Sequence, residues 1–178
     1  VAGIKKNDEV IISTITFIAP VNAISYNNAK PIFMDVDDHL NIDAKKTIEF
    51  LRNNTFFKNN YTYNKKTKKI IKAIILVHTF GNPSDLELLI KECKKRNIFC
   101  IEDAAESFGS YYKKGKNKDK HTGTVCDIGC LSFNGNKIIT SGAGGAILTK
   151  LKKYYKLAHY YSNQSKNDSI NFIHNDIG

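Results

Sequence analysis

Residues 70–77 of the chain read IIKAIILV, and this stretch decides the fold. Apolar, mostly β-branched side chains fill it almost without a break, which is typical of a strand buried on both faces of a sheet. Ser84 follows at the start of a predicted helix, where its hydroxyl and Glu87 three residues on would form a capping box. The apolar run from Ile98 to Glu102 predicts the next strand. Together these segments indicate a strand–helix–strand unit.

The same alternation extends in both directions from this unit. Further strands are predicted at Val10 to Ser13, Pro31 to Val36, Ile128 to Phe133 and Gly145 to Thr149, and further helices at Ile18 to Tyr26, Asp43 to Leu51 and Lys150 to Tyr161. This pattern predicts an α/β fold whose mostly parallel sheet is covered by helices on both faces, a three-layer α-β-α sandwich. Asn53 to Lys69, rich in Asn, Lys, Tyr and Thr, is interpreted as a mobile surface insertion or a hairpin.

Length and charge narrow the classes of partner. A chain of 178 residues suits one compact domain. Its longest apolar stretch, Ile70 to Phe80, is broken by Lys72 and His78 and is shorter than the ~20 residues that cross a bilayer. The formal net charge is +10, but the positive residues are spread along the chain and only Arg52 and Arg96 are arginines. Because arginine is the preferred residue for reading bases, we expect no nucleic acid as partner. The short apolar stretches likewise lead us to expect no membrane as partner.

The four cysteines do not have the spacing of a metal site. Structural zinc sites bring their ligands in close pairs, whereas Cys93, Cys100, Cys126 and Cys130 are spaced more widely. Cys100 lies in an apolar run, where a free thiol behaves as a small hydrophobic group. We therefore expect no metal and a reduced, cytoplasmic protein.

Two stretches carry residues that could do chemistry. In the first, residues 101–109 (IEDAAESFG), two acids end an apolar strand and two alanines leave room for a ligand near the backbone. Ligands of such sheets bind beyond the carboxyl ends of the strands, and Asp103 is in that position. The alternative is that Asp103 only caps the helical turn that follows.

The second stretch is residues 132–145, SFNGNKIITSGAGG. Lys137 stands here among small polar residues, before a glycine-rich turn into a strand. The alternative is that Lys137 is one more solvated lysine and that the glycines serve only a tight turn. As a phosphate loop this stretch is a weak signal, because it lacks the GxxxxGK[ST] pattern.

The two stretches taken together point to one cofactor. Pyridoxal phosphate requires a lysine that forms a Schiff base and an acid that pairs with the pyridinium nitrogen. Asp103 and Lys137 are residues of these two types. A carboxylate beside the ring nitrogen favours its protonated form, which lets the ring accept electrons.

The order of several short motifs carries a resemblance to a known family. The chain resembles the DegT/DnrJ/EryC1/StrS sugar aminotransferases, a branch of the fold-type I pyridoxal-phosphate enzymes. The matching stretches are Asn7 to Ile11, Thr16 to Ala19, Pro31 to Val36, Val77 to Pro83, Glu102 to Glu106 and Ser132 to Gly145. The motif SFNGNK, with His121 to Thr124 upstream, most resembles the subgroup that makes amino sugars for legionaminic acid or bacillosamine-type glycans.

The resemblance implies a role for each matching position. It implies that Lys137 carries the cofactor and moves the proton, and that Asp103 keeps the ring nitrogen protonated. Phe17 would stack on the ring, and Ser132 would donate to the phosphate. Glu106 matches a position where many members carry Gln near the ring's phenolic oxygen, so its hydrogen-bonding role differs, because a carboxylate only accepts. His78 lies on a strand-and-turn motif and is interpreted as structural.

Where the chain departs from the family, the resemblance implies that residues 1–178 are part of a longer enzyme. An upstream Gly-Thr-small segment would lie before Val1. A segment with Asn and Arg that reaches the neighbouring subunit's cofactor would follow Gly178. The chain would then be a partial large, pyridoxal-phosphate-binding domain without the N-terminal segment and the small C-terminal domain.

The resemblance also implies a reaction and its partners. The complete protein would be a homodimer that transfers an amino group from glutamate to a nucleotide-linked keto-deoxy sugar in surface-glycan biosynthesis. One alternative is a pyridoxal-phosphate-dependent sugar dehydratase, since some relatives dehydrate sugars and carry His in place of the lysine. The other is a catalytically incompetent fragment. Lys137 argues against the dehydratase branch. We expect the truncated chain by itself to be inactive or nearly so.

Overall fold

A computed structural model gives the fold of residues 1–84, 86–166, 173–174 and 176, which are the residues described below. A central sheet has the strand order β2-β1-β5-β6-β7-β8. Its strands are β1 Glu9–Ser13, β2 Lys30–Met34, β5 Ile71–Val77, β6 Phe99–Asp103, β7 Ile128–Ser132 and β8 Gly145–Leu148. The helices are α1 Ile18–Tyr26, α2 Ala44–Asn53, α3 Glu87–Lys95 and α4 Lys152–Ser162. A two-stranded sheet of β3 Thr55–Lys58 and β4 Tyr61–Asn64 is separate.

The central sheet is mixed but mostly parallel. β1, β2, β5, β6 and β7 run parallel to one another, and β8 pairs antiparallel with β7, with Ser132 opposite Gly145. β5 has six of its seven residues buried, as its unbroken apolar sequence predicts. The predicted α/β class with a mostly parallel sheet is confirmed.

Helices cover both faces of this sheet. On one face, Ile11 and Ile74 belong to a core that includes Leu51 of α2 and Leu89 of α3. On the other face, a second core joins strand residues, among them Val10, Ile12 and Ile75, to Ile24 of α1. α4 lies on that second face too, because the rings of Phe99 and Tyr154 pack edge to face at 5.0 Å. Successive strand residues point to opposite faces, so the alternation builds the three layers that the sequence predicts.

The segment between α2 and β5 is a hairpin, one of the two forms expected for it. β3 and β4 pair antiparallel, with Thr55 opposite Asn64. Arg96 ties it to the end of α3, because its Nη1 donates to Thr55 Oγ1 at 3.1 Å and its carbonyl accepts from Thr62 Oγ1 at 2.6 Å. The hairpin is thus anchored to the helical layer.

The predicted capping box at Ser84 is wrong. α3 begins at Glu87, and its N-cap is Leu86. The Ser84 hydroxyl donates to Val77 O at 3.2 Å instead, and the Glu87 carboxylate accepts from the backbone N–H of Lys116 at 3.0 Å. Both side chains bind neighbouring segments rather than each other, which the local sequence pattern cannot show.

The cysteines Cys93, Cys100, Cys126 and Cys130 are free thiols. Among the described helices, none combines the length and the hydropathy needed to cross a bilayer. The family segment with Asn and Arg is expected to follow Ile177 and Gly178, and these two residues lie outside the described residues.

Candidate active site

Three neighbouring strands end at one edge of the sheet. Val77 of β5 lies opposite Asp103 of β6, and Asp103 lies opposite Cys130 of β7. The strands are parallel, so the loops that follow them leave from the same edge. A backbone hydrogen bond of 3.1 Å from His78 N to Asp103 O joins the first two loops where they begin. In open α/β sheets this edge is where ligands bind.

The amine of Lys137 lies at this edge. Its Nζ is 3.7 Å from Glu106 Oε1 and 5.7 Å from the ring centroid of Phe17. Only 13% of the Lys137 side chain is exposed, so the residue is not the solvated surface lysine of the alternative interpretation. The loop after β7 therefore turns this amine inward, towards residues from two other segments.

Asp103 is the acid that ends β6. Burial raises the pKa of this carboxyl, while the backbone N–H of Ala105 and the positive charge of Lys137 act in the opposite direction. The influence of Lys137 places the amine within electrostatic range of Asp103. Asp103 Oδ1 also accepts from Ala105 N at 3.1 Å, at the start of a turn that Ser107 N closes on Ala104 O at 3.2 Å, so Asp103 caps the turn that follows, as the alternative interpretation expects.

Glu106 links two sides of the site. One carboxylate oxygen faces Lys137, and the other accepts the backbone N–H of Phe80 at 3.2 Å. Phe80 has φ 51°, in the left-handed region that a bulky residue rarely adopts, and 73% of it is exposed. The acid therefore acts as a hydrogen-bond acceptor and holds a strained, outward-pointing phenylalanine in place.

Phe17 and Ser132 complete the set of predicted residues. Phe17 is the N-cap residue of α1, with 66% of its surface exposed. Next to it, the Thr16 hydroxyl is buried without a hydrogen-bond partner among the described residues, which leaves a polar group free for a ligand. Ser132 ends β7, and its Oγ accepts from Asn134 N at 3.4 Å. The structure thus brings Phe17, Asp103, Glu106 and Lys137 to one edge, and Ser132 begins the loop that carries Lys137.

His78 is wholly buried beneath this edge, as expected of a structural residue. Its Nδ1 accepts the backbone N–H of Ser84 at 3.2 Å, and its Nε2 lies 3.0 Å from Glu102 Oε1. A ring nitrogen that accepts an N–H carries no proton itself, so Nε2 is the nitrogen that donates to Glu102. The ring is therefore neutral and has a fixed tautomer.

Glu102 is the residue that sequence reasoning missed. The sequence shows it only as one of two adjacent acids, but it is fully buried and binds His78 and Tyr112 as well as the loop 123–126. The available signal was its register: alternate residues of an apolar strand point inward, and a buried carboxylate requires several donors. Which donors these are depends on loops that the sequence pattern does not place.

The chain is similar to known proteins over its whole length. A family model described as the DegT/DnrJ/EryC1/StrS aminotransferase family matches residues 1–178. The chain belongs to this family. A GDP-perosamine synthase from Escherichia coli O157:H7 is 39% identical over 176 residues, which cover 99% of this chain and 43% of that protein. The chain thus spans less than half the length of this relative.

Solved structures show the same fold. An aminotransferase of the family from Brucella abortus superposes with a TM-score of 0.83 at 23% identity, over 99% of this chain and 44% of that one. An E. coli GDP-4-keto-6-deoxy-D-mannose-3-dehydratase with bound hydrated pyridoxal phosphate has a TM-score of 0.73 and is 25% identical, over 92% of this chain and 37% of that one. The chain is thus similar in fold to proteins named for both reaction types that the sequence left open.

The residues at the edge have the chemistry that pyridoxal phosphate needs. They supply an amine on Lys137, a carboxylate on Asp103, an aromatic face on Phe17 and the unpaired hydroxyl of Thr16. The set contains a nucleophile and an acid that come from separate segments and lie within electrostatic range of each other. The individual roles of these residues stay predictions.

Proposed function

We propose that the complete protein is a pyridoxal-phosphate-dependent aminotransferase that moves an amino group from glutamate to a nucleotide-linked keto-deoxy sugar in surface-glycan biosynthesis. The convergence of Lys137, Phe17, Glu106 and Asp103 on one edge of the sheet carries this proposal. Membership of the aminotransferase family and the similarity to a GDP-perosamine synthase support it. Residues 1–178 are then a partial large, cofactor-binding domain.

The proposed cofactor contacts follow from the chemistry of each side chain. Lys137 would hold the cofactor covalently through its amine, and Phe17 would lie against the ring face, where an aromatic side chain fixes the ring plane. Asp103 would pair with the ring nitrogen, and Ser132 would donate its hydroxyl to the phosphate. Pyridoxal phosphate supplies an electron sink for the electron pair that remains when a proton leaves the substrate carbon.

Lys137 also performs the proposed proton transfer. With the cofactor bound, the free amine of Lys137 would take the proton from the substrate carbon as a base and would give it up again as an acid. Glu106, 3.7 Å from this amine, is positioned to orient it. Glu106 serves as an acceptor here, unlike the Gln that many members carry.

Asp103 sits where burial opposes its charge. Burial raises the pKa of this carboxyl, which makes the ionised form costly until a positive partner arrives. A protonated ring nitrogen is such a partner. The acid is therefore suited to hold one proton on the ring nitrogen throughout the reaction.

A second copy of the chain is the proposed partner. Three large apolar side chains are exposed here: Phe17 (66%), Phe80 (73%) and Ile138 (63%). The amine of Lys137 lies over the Phe17 ring, and Glu106 accepts the backbone N–H of Phe80, so two of the three lie at the site. Ile138 follows Lys137 directly. Large apolar side chains that are exposed together mark an interaction surface. A homodimer that covers them would also exclude water from the site. We further propose that the reaction takes place in the cytoplasm, an assignment that the free thiols support.

The experiment is an amino-transfer assay on the longest natural chain that contains these 178 residues. The protein, with pyridoxal phosphate and ¹⁵N-labelled glutamate, is incubated with a panel of GDP-linked and UDP-linked keto-deoxy sugars. We expect the label in one amino-sugar nucleotide, detected by mass spectrometry, and none with a Lys137→Ala variant. Loss of water from the sugar without uptake of label would contradict the proposal and favour the dehydratase reaction.

A further inference from the structure

We infer that Glu102 is the positioning residue of this site: its buried carboxylate fixes the two loops that carry Phe80 and Glu106. The inference rests on the proposed function for its effect on cofactor binding. The positioning itself is a property of the chain and is measured separately below.

The Glu102 carboxylate collects donors from three segments. Its two oxygens accept from His78 Nε2 at 3.0 Å, Tyr112 OH at 2.7 Å, Gly123 N at 2.9 Å, Val125 N at 2.7 Å and Cys126 N at 2.9 Å. Two carboxylate oxygens offer about four lone-pair sites, so these five donors leave no site free. A fully satisfied buried network of this kind is rigid, so the carboxylate holds the segments that bind it in one arrangement.

One branch runs through His78 to Phe80. Because His78 Nδ1 accepts from Ser84 N, the ring closes the turn from residue 78 to residue 84. The turn contains Phe80 in its strained conformation, with its N–H donated to Glu106. Strained residues persist only where their surroundings over-determine them. Glu102 supplies that constraint through His78.

The second branch runs through the loop 121–126 to Glu106. The carboxylate binds three backbone N–H groups of this loop. From the same loop, Thr122 Oγ1 donates to Ser107 O at 2.8 Å and accepts from Ser107 Oγ at 2.9 Å. Ser107 is the neighbour of Glu106, so the loop fixes the segment that faces Lys137. Both branches meet in the hydrogen bond between Phe80 and Glu106.

Glu102 and Asp103 divide the work at the end of β6. They are consecutive on a strand, so their side chains leave on opposite sides. Glu102 binds the loops behind the edge, while Asp103 lies within electrostatic range of Lys137. Glu102 therefore positions the loops, and Asp103 is left available for a ligand.

The test compares Glu102→Gln with Glu92→Gln. Glu92 is a matched control, because it is also a buried carboxylate, bound by Arg96 Nε at 2.8 Å and Arg52 Nη2 at 3.4 Å, on α3. Hydrogen–deuterium exchange is followed in peptides that cover residues 78–84 and 121–126. The dissociation constant for pyridoxal phosphate is measured by absorbance titration of the same proteins.

We expect Glu102→Gln to speed exchange in both segments by about tenfold or more and to weaken cofactor binding by a similar factor, since it puts an amide N–H₂ against buried donors. Glu92→Gln should lower the melting temperature but leave exchange in both segments and the dissociation constant within about twofold. Unchanged exchange in Glu102→Gln, or equal effects of the two variants on both loops, would overturn the inference. A wild-type protein that does not bind pyridoxal phosphate would count against the proposed function, while the exchange data would still decide the role of Glu102.

Two further measurements apply if Glu102→Gln does not fold. Tyr112→Phe removes a single donor to Glu102 without removing the ring, and it should speed exchange in residues 121–126 by a smaller factor. In the unsubstituted protein, the ¹⁵N shifts of the His78 ring should show an unprotonated Nδ1 and a protonated Nε2. The opposite tautomer, or a charged ring at neutral pH, would contradict the network.

Discussion

At the scale of single residues, the end of β6 shows how environment separates two chemically similar acids. Burial alone would raise the pKa of Glu102. Hydrogen bonds from His78, Tyr112 and Cys126 outweigh burial and lower this pKa to about 2. Burial raises the pKa of Asp103. Within the described residues, its side chain accepts one hydrogen bond, from the backbone N–H of Ala105. Pairs of acids with opposite shifts are typical of sites that assign them different roles.

Asp103→Asn should stabilise the cofactor-free chain while weakening cofactor binding. A carboxyl whose pKa is raised by folding costs stability while it is ionised, and the cost disappears as the pH falls through the folded-state pKa. Removing the charge should raise the melting temperature at pH 7 by about 2–4 °C, which is about 1 kcal/mol in a chain of this size. Calorimetry measures this. The exposed control Asp38→Asn should change neither property, and a destabilised Asp103→Asn would contradict the account.

Glu102 should make the fold sensitive to acid. Its folded-state pKa lies below the usual 4.5, so its contribution is complete above pH 4.5 and is lost as the pH falls towards about 2. The full contribution is about 3 kcal/mol, at about 1.4 kcal/mol for each unit between the two values. Urea unfolding of wild type and Glu102→Gln between pH 7 and pH 3 should give a difference in free energy that shrinks below pH 4.5.

The comparison with the variant is needed because other groups face the same region. Burial raises the pKa of Asp103, so its contribution to stability changes with pH in the opposite sense to that of Glu102. Tyr112 and Cys126 stay protonated across this range, because both pKa values are raised. A difference between the two proteins that stays constant from pH 7 to pH 3 would refute the assigned ionisation of Glu102.

At the scale of elements, the end of α3 holds the hairpin and the helical layer together. Arg96 binds Glu92 at 2.8 Å and Thr55 at 3.1 Å, and only 17% of its side chain is exposed. Arg52 binds the same Glu92 at 3.4 Å, but 61% of its side chain is exposed. One acid thus has a buried and an exposed arginine partner.

The two arginines should differ in their effect on stability. Arg96→Ala leaves Glu92 buried with a weaker partner and frees Thr55, so we expect a loss of about 2–4 kcal/mol in unfolding free energy. Arg52→Ala removes only a solvent-screened pair and should cost less than about 1 kcal/mol. Urea denaturation of both variants checks this. Equal losses would show that the hairpin does not depend on Arg96.

The sequence predicted the elements better than it predicted the connections between them. The apolar runs gave the strands of the central sheet within one or two residues at either end, because burial on both faces leaves a continuous pattern. The capping box failed because Ser84 and Glu87 bind other segments. In the same way, the five donors of Glu102 come from loops whose positions depend on the whole fold. Long-range polar contacts of this kind have no period for a sequence to reveal.

At the scale of the whole molecule, the site is assembled from segments far apart in the chain. Phe17, Phe80, Glu106 and Lys137 come from four separate loops and helix ends, and the parallel sheet brings them to one edge. The family resemblance predicted three of these positions, and the fold explains their convergence. Phe80 was part of a matching motif, but its strained backbone and its bond to Glu106 are visible only in the structure.

The exposed apolar surface at this edge should determine the oligomeric state. Ile138→Asp places a charge beside Lys137 in the proposed interface and should shift the protein towards the monomer by about tenfold or more in dissociation constant. Leu88→Asp is the control, since Leu88 is 69% exposed on α3, on one of the sheet's covered faces. Sedimentation velocity measures both. A monomeric wild type, or equal effects of the two variants, would contradict the proposed homodimer.

The central claim is that Lys137 is the amine that holds pyridoxal phosphate, and borohydride trapping tests it most directly. The longest natural chain that contains these residues is incubated with pyridoxal phosphate, reduced with borohydride, digested and mapped by mass spectrometry. The account predicts one stoichiometric modification, on Lys137, among the many lysines of this chain. A stoichiometric modification on any other lysine, or none at all under saturating cofactor, would contradict it.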